Sequence, residues 1–295
     1  MVSPTTSIAE EAAEASCWMI RIFSLTSSVA SDAQAAVPGG GWKHGPMVGT
    51  RTCLILWDVD HTLIDNGGVS KESYALAFEI LVGDVPRTPP VTDGRTDLAI
   101  MQDFLESNGV DSDAISVERR FEALVTASQR NRERLAERGS VLPGVVECLS
   151  RLSTVPGVIQ SVLTGNIEEN TRMKLEIFGL DRWLDLSVGG FGAEHRVRGM
   201  LVPVAQAKAS RAYGFDPRTA VTVLVGDTHL DVQAALVGGA RVIAVATGVD
   251  SVEELAHAGA DVVLPGLGDP EAFCAAVDHV RELGSVGPRA RVAGA

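Results

Sequence analysis

The fold of this 295-residue chain is constrained most by a rhythm: short apolar runs alternate with longer stretches that carry helical spacing. The runs are residues 53–57, 159–163, 185–188, 221–225, 241–246 and 261–264. Between the later ones, residues 168–178, 201–213, 230–237 and 252–258 repeat their apolar positions every three or four residues, as helices do. A short run rich in Val, Ile and Leu predicts a strand buried on both faces. Alternation of such strands with helices predicts an α/β fold, a parallel sheet covered by helices on both sides. In open sheets of this kind ligands bind beyond the carboxyl ends of the strands, so function is sought in the residues that end each run.

The gap between the first and second runs breaks the rhythm. Residues 70–82, 97–107 and 117–138 read as helices throughout, with Pro86, Pro89, Pro90 and Gly94 separating the first from the second. The expectation is a helical insertion over residues 69–140, a candidate lid above the first strand end. The α/β core then comprises residues 49–68 and 141–283. Residues 1–48 are rich in Ala, Ser, Thr and Gly without sustained periodicity and are expected to be mostly disordered. Met47, just ahead of the first strand, is a candidate natural start. Residues 284–295 are expected to form a frayed tail.

Composition narrows the class. A net charge of −13 argues against a nucleic-acid surface, and Arg119, Arg120, Arg130, Arg132 and Arg134 are interspersed with Glu, as on a solvated helix face. Cys17, Cys53, Cys148 and Cys274 form no Cys-x-x-Cys pair, so neither a zinc site nor a disulfide framework is suggested. The apolar stretch 17–25 is too short to span a bilayer, and no positive residue precedes it as in a signal peptide. A cytoplasmic protein without membrane or nucleic-acid partners is expected; oligomeric state is not legible.

Three strand ends carry chemistry. The first run is followed by Asp58-Val59-Asp60, and side chains two apart on an extended segment face the same way, so the two carboxylates share one side. The second is followed by Thr164-Gly165-Asn166 and then a helix: a hydroxyl, a permissive glycine and a helix N-terminus, which together suit phosphate. The plainer alternative is a helix start with Asn166 as N-cap. The fourth ends in Gly226-Asp227 with Asp231 four residues on, hard oxygen ligands suited to Mg²⁺, or a loop in which Asp231 merely opens a helix. Arg196, Arg198 and Lys208 offer cations for phosphate oxygens.

The order Asp58-x-Asp60-x-Thr62-Leu63, Thr164-Gly165-Asn166, a basic residue, then Gly226-Asp227-x-x-x-Asp231 resembles the haloacid dehalogenase superfamily of hydrolases over about residues 52 to 267. The helical insertion, with Gly94-Arg95-Thr96-Asp97 in it, resembles the cap of the phosphoglycolate phosphatase-like branch. The resemblance implies a Rossmann-like core, Asp58 as nucleophile, Asp60 as acid/base, Thr164 as phosphate ligand and Asp227 as Mg²⁺ ligand. It further implies Asp231 in support, metal contact through the Asp60 backbone carbonyl, and Thr62, Gly165 and Asn166 at the substrate. Arg95 is the side chain to read an anionic substrate, or else an exposed helix-start arginine.

The chain departs from that pattern twice. His61 stands where these phosphatases usually have glycine, so the turn differs, or His61 reaches the cap, or it only packs. No Lys-Pro supplies the third motif; Arg198 is the choice from its place at the start of the helix 201–213, Arg196 is the near alternative, and Lys208 reads as a solvated side chain. The implied activity is a Mg²⁺-dependent phosphatase acting through an aspartyl-phosphate on a small phosphorylated metabolite, phosphoglycolate-like or a sugar phosphate. Asp60 would then carry a proton part of the time, pushed by its acidic neighbours. Two carboxylates about 4 Å apart repel by roughly 4 kcal/mol at an effective dielectric of about 20, so Asp58 and Asp227 need a cation between them. A phosphosugar mutase, a 2-haloacid dehalogenase and a catalytically silent binding protein are the competing readings.

Overall fold

The computed structural model describes residues 52–287. The expected N-terminal extension, Met47 and residues 288–295 lie outside them. Five parallel strands form the sheet: β1 (Cys53–Trp57), β4 (Val158–Val162), β5 (Val221–Gly226), β6 (Arg241–Val245) and β7 (Val262–Leu264), in the order β4-β1-β5-β6-β7. β1 is an interior strand, apolar at every position, and all five of its residues are fully buried. Alternate side chains feed opposite layers. Cys53, Ile55 and Trp57 pack with Leu149 of α5 (Val145–Ser153), Leu175 of α6 (Glu168–Ile177) and Phe273 of α10 (Pro270–Leu283). Leu54 and Leu56 pack with Val202 and Ala205 of α7 (Leu201–Tyr213), Val232 of α8 (His229–Gly238) and Leu255 of α9 (Val252–His257).

One expected strand is absent. Residues 185–188 do run beside β4, with Asp185 N–H donating to Gln160 O (2.9 Å) and Gly190 N–H to Val162 O (2.9 Å). Between these bonds the Asp185 carboxylate accepts from the Ser187 amide and winds Leu186–Val188 into a 3₁₀ turn. Local Asp-to-backbone bonding has defeated the ladder here.

The insertion enters and leaves the core through a two-residue antiparallel pair, β2 (Ile64–Asp65) with β3 (Ser140–Val141). Between them lie α1 (Val69–Val82), α2 (Asp97–Ser107), α3 (Val117–Arg130) and α4 (Arg132–Arg138). The single helix expected over 117–138 breaks at Asn131, whose amide turns inward to donate to Ser73 Oγ at 3.1 Å. These helices bury a cluster of their own, including Tyr74, Phe78, Met101, Phe104 and Leu124, and one core residue, Ile167 just before α6, joins it. Among the described residues no helix is long and apolar enough to cross a membrane.

The Phe273 ring lies 5.1 Å from that of Trp57, centroid to centroid, and ties the last helix to the first strand. Phe273→Ala should cost about 3–5 kcal/mol of unfolding free energy. Urea titration measures it, and a loss below about 1 kcal/mol would show that α10 is not part of the cooperative core.

Candidate active site

The backbone alone brings the strand-end residues together. β1 runs one rung past Trp57, where Asp58 N–H donates to Val225 O at 2.8 Å. Extended geometry then sends Val59 into the core and leaves Asp58 and Asp60 on the open side. Asp58, Asp60, Thr164, Gly165, Asn166, Arg198 and Asp227 line one cleft, closed from above by the insertion through Ser70, Tyr74 and the segment 92–97.

Of the three candidate cations, Arg198 stands among the carboxylates. Its Nη2 lies 2.8 Å from Asp58 Oδ1 and 2.6 Å from Asp231 Oδ1, and the side chain is buried. Arg196 turns outward to Asp103 (3.0 Å) and Gln102. Lys208 is not the solvated side chain expected: it reaches back to Gly189 O (2.7 Å) and Glu194 (2.9 Å) over the Phe191 ring, its long stem carrying the charge away from the cleft.

Asp58, Asp227 and Asp231 each present an oxygen within 4.8 Å of the others. Asp231 closes a capping box with Thr228 through Oδ2, while its Oδ1, though beside Arg198, accepts no hydrogen bond. Burial pushes the Asp58 carboxyl up to about 6 against the pull of Arg198, with Asp231 and Asp60 adding to the rise. Burial, then Asp231 and Asp58, likewise raise Asp227 well above the carboxylate range. The loop after β6 presses on this group: a side chain at Gly248 would stand 1.8 Å from Asp227 Oδ2.

Asp60 behaves in the opposite way to expectation. Burial would raise it too, but Lys174 Nζ binds both its oxygens (2.6 and 2.9 Å), Asn166 and Asn66 each donate at 2.8 Å, and the carboxyl falls to about 2. It is therefore an anion in the free site, not partly protonated. The cause is Lys174, which the sequence reading missed: it sits mid-helix, two turns past Asn166, at no strand end and in no motif. The same ammonium donates to Ser70 Oγ (3.0 Å) and Asn166 Oδ1 (2.8 Å).

Two further expectations need correction, those for Thr62 and Asn166. Thr62 does not face substrate; it is fully buried and its hydroxyl donates to Asp227 Oδ1 at 3.0 Å, steadying that carboxylate. Asn166 is not the N-cap of α6: its Oδ1 accepts from Lys174 and its amide donates to Asp60, and the cap position passes to Ile167, whose N–H donates to Asp97 Oδ2 at 2.8 Å. Arg95 lines the cleft but pairs with Asp103 on α2, and its carbonyl passes so close to Gly165 that a Cβ there would stand 1.8 Å away. Glycine at 165 is thus required by the insertion's backbone.

His61, where the resemblance leads one to expect glycine, takes a left-handed φ of 60°. Such left-handed backbone costs a non-glycine residue about 1–2 kcal/mol. Its N–H donates to Ile64 O (2.6 Å), its carbonyl accepts from the Thr247 hydroxyl, and the ring lines the cleft mouth.

Asp97 and Tyr74 are the insertion's unforeseen contribution. The Tyr74 hydroxyl donates to Asp97 Oδ1, both residues are buried, and the Asp97 N–H donates to Gly165 O at 2.7 Å. Burial lifts the Asp97 carboxyl to about 6 despite the Tyr74 and Ile167 bonds.

A family model described as haloacid dehalogenase-like hydrolase matches residues 55–236. No curated protein matches the chain in sequence. Among solved structures, a predicted phosphatase from Clostridium acetobutylicum is similar over 78% of this chain and 100% of its own, with TM-score 0.56 and 18% identity. A hydrolase from Pseudomonas syringae matches 79% of this chain and 99% of its own, with TM-score 0.54 and 20% identity. A predicted phosphoglycolate phosphatase from Haemophilus somnus matches 76% and 99%, with TM-score 0.54 and 18% identity. At these identities the likeness is one of fold.

Lys174→Met strands Asp60 without its cation. The expected loss is about 3 kcal/mol, the low end for a broken buried pair because the Asp60 side chain keeps 22% exposure; an unchanged urea midpoint at neutral pH would remove Lys174 from this role. Asp97 supplies a pH signature. Its folded pKa lies above the ordinary 3.8, so between 3.8 and about 6 the native state holds the extra proton and stability falls as pH rises. The fall is roughly 3 kcal/mol across that window. Subtracting the stability curve of Asp97→Asn should isolate it, and a difference that does not vary with pH counts against it.

Proposed function

Because the chain belongs to the haloacid dehalogenase-like hydrolase family, we propose that the cleft belongs to a Mg²⁺-dependent phosphatase that hydrolyses a small phosphorylated metabolite through an aspartyl-phosphate. The observation that carries the reading is the convergence of Asp58, Asp60, Thr164, Arg198 and Asp227 on one cleft from three separate strand ends and the turn before α7. The fold likeness to structures described as phosphatases agrees with it.

The donor set fits a small hard cation. Three buried carboxylates present oxygens to one point, one of those oxygens has no hydrogen-bond donor, and only Arg198 opposes their charge directly. Asp58, Asp227 and the Asp60 backbone carbonyl would hold the ion, with Asp231 in support. When bound, Mg²⁺ offsets carboxylate repulsion and draws charge from the phosphate oxygens.

Phosphate monoesters are among the slowest esters to hydrolyse unaided, so the site must hold charge where it develops. Asp58 attacks phosphorus in line and the P–O bond to the alcohol breaks, leaving an acyl phosphate on Asp58. The Arg198 guanidinium, already beside Asp58, and the Thr164 hydroxyl bind the phosphoryl oxygens. Asp60 deprotonates the water that opens the acyl phosphate, and it is an anion ready for that step. To protonate the leaving oxygen it must first gain a proton against Lys174, so this ammonium governs the acid half of the cycle. The insertion excludes water and selects the leaving group.

Asp58→Asn should lower kcat toward p-nitrophenyl phosphate more than about 10³-fold with the fold retained by circular dichroism. Activity within a few-fold of the parent would dismiss Asp58 as nucleophile. A chelator should abolish turnover and added Mg²⁺ restore it; full turnover in the chelator would dismiss the metal. Phosphate passed to a second sugar phosphate instead of water would favour the mutase.

A further inference from the structure

The side of the cleft that receives the leaving group carries a consistent chemical signature. The insertion presents Ser70, Tyr74, Thr92, Asp93, Arg95 and Asp97 there: hydroxyls and two carboxylates against one cation. That cation is committed, since Arg95 pairs with Asp103. The other cations bordering the cleft are committed as well, Arg198 to Asp58 and Asp231, and Lys174 to Asp60. Apart from His61, every cation lining this side among the described residues already faces a carboxylate, and Asp93 and Asp97 add negative charge that would oppose an anionic leaving group.

The space behind Tyr74 and Asp97 continues the pattern. Ser70, Tyr74, Asp97 and Asn166 also line a second small pocket, where the insertion meets α6. Asn170 lies in it, 3% exposed, and its Oδ1 has no hydrogen-bond partner in the protein. A buried amide oxygen without a donor costs about 1–3 kcal/mol, so it favours any group that brings a hydroxyl. A carboxylate brings only more acceptors.

Resting on the phosphatase reading, we infer that the substrate is the phosphate ester of an uncharged, hydroxyl-bearing leaving group, a polyol or sugar, and that Asp93 and Asp97 disfavour phosphorylated carboxylic acids such as phosphoglycolate. The cleft is narrow, which suits a small leaving group. Specificity here is built by repulsion as much as by contact. Sites that hydrogen-bond a hydroxyl also discriminate more strongly than apolar pockets do.

The test compares kcat/KM with Mg²⁺ for glycerol 3-phosphate, glucose 6-phosphate, 2-phosphoglycolate, O-phosphoethanolamine and p-nitrophenyl phosphate on the full chain. At least one of the two uncharged-alcohol esters should exceed phosphoglycolate and phosphoethanolamine by about tenfold or more. Asp93→Asn and Asp97→Asn should each narrow the gap to phosphoglycolate several-fold; Asp93 lies half-buried in a loop, so the test survives if Asp97→Asn fails to fold. A preference for phosphoglycolate or phosphoethanolamine, or a ratio unmoved by Asp93→Asn, overturns the inference. Turnover of the aryl phosphate separates the two levels: with it present, the wrong preference defeats only the leaving-group assignment, whereas no turnover of any ester defeats the phosphatase reading itself.

Discussion

Everything at the carboxyl edge of the sheet depends on how two cations divide the acidic residues between them. Arg198 takes Asp58 and Asp231, and Lys174 takes Asp60. Without this division, the buried carboxylates would repel one another in surroundings where water cannot screen them. The partition also separates two aspartates that stand only two residues apart. Asp58 is lifted to about 6 while Asp60 falls to about 2. One group is raised and its neighbour lowered, the kind of environmental contrast from which acid and base roles are built. The direction is notable, because Asp58, the proposed nucleophile, is the one raised. A divalent cation next to Asp227 would relieve that side only, since Asp60 already has its counter-charge.

The insertion is joined to this arrangement by polar contacts as well as by packing. Lys174 reaches Ser70 on α1, and Asp97 holds the cap amide of α6 while accepting from the Tyr74 hydroxyl. Ile167 extends the insertion's apolar cluster into the core. The helix that carries Lys174 is thus gripped at its start by the element that covers the cleft. Position of the insertion and position of the ammonium are one mechanical problem.

Much of this was legible in the chain, and the failures have physical causes. Runs apolar on both faces announced the parallel sheet, and the residues that ended them, Asp58, Thr164 and Asp227, line the cleft. The 185–188 run misled because Asp185 bonds its own backbone, an interaction that hydrophobicity does not record. Thr62 sits beside the right aspartates yet spends its hydroxyl on Asp227, which spacing cannot distinguish from facing a substrate. Lys174 was invisible, and Asp97 stood out only within Gly94-Arg95-Thr96-Asp97 and without a role, because each acts across more than a hundred or about seventy positions of sequence and neither ends a strand. Strand-end logic finds groups that the sheet itself aims. It does not find groups that a helix carries in from the side.

The two-rung pairing of β2 with β3 has a bearing on the history open to such a chain. Residues 66–139 form a loop whose ends are pinned together by Ile64–Asp65 and Ser140–Val141. For a loop closed in this way, each doubling of length adds only about 0.6 kcal/mol of closure entropy. The sheet is therefore nearly indifferent to how much polypeptide hangs between those two short strands. Helices can be lengthened or exchanged there while Asp58, Asp227 and Arg198 stay where the core sets them, provided that the contacts of Ser70 and Asp97 with α6 are kept.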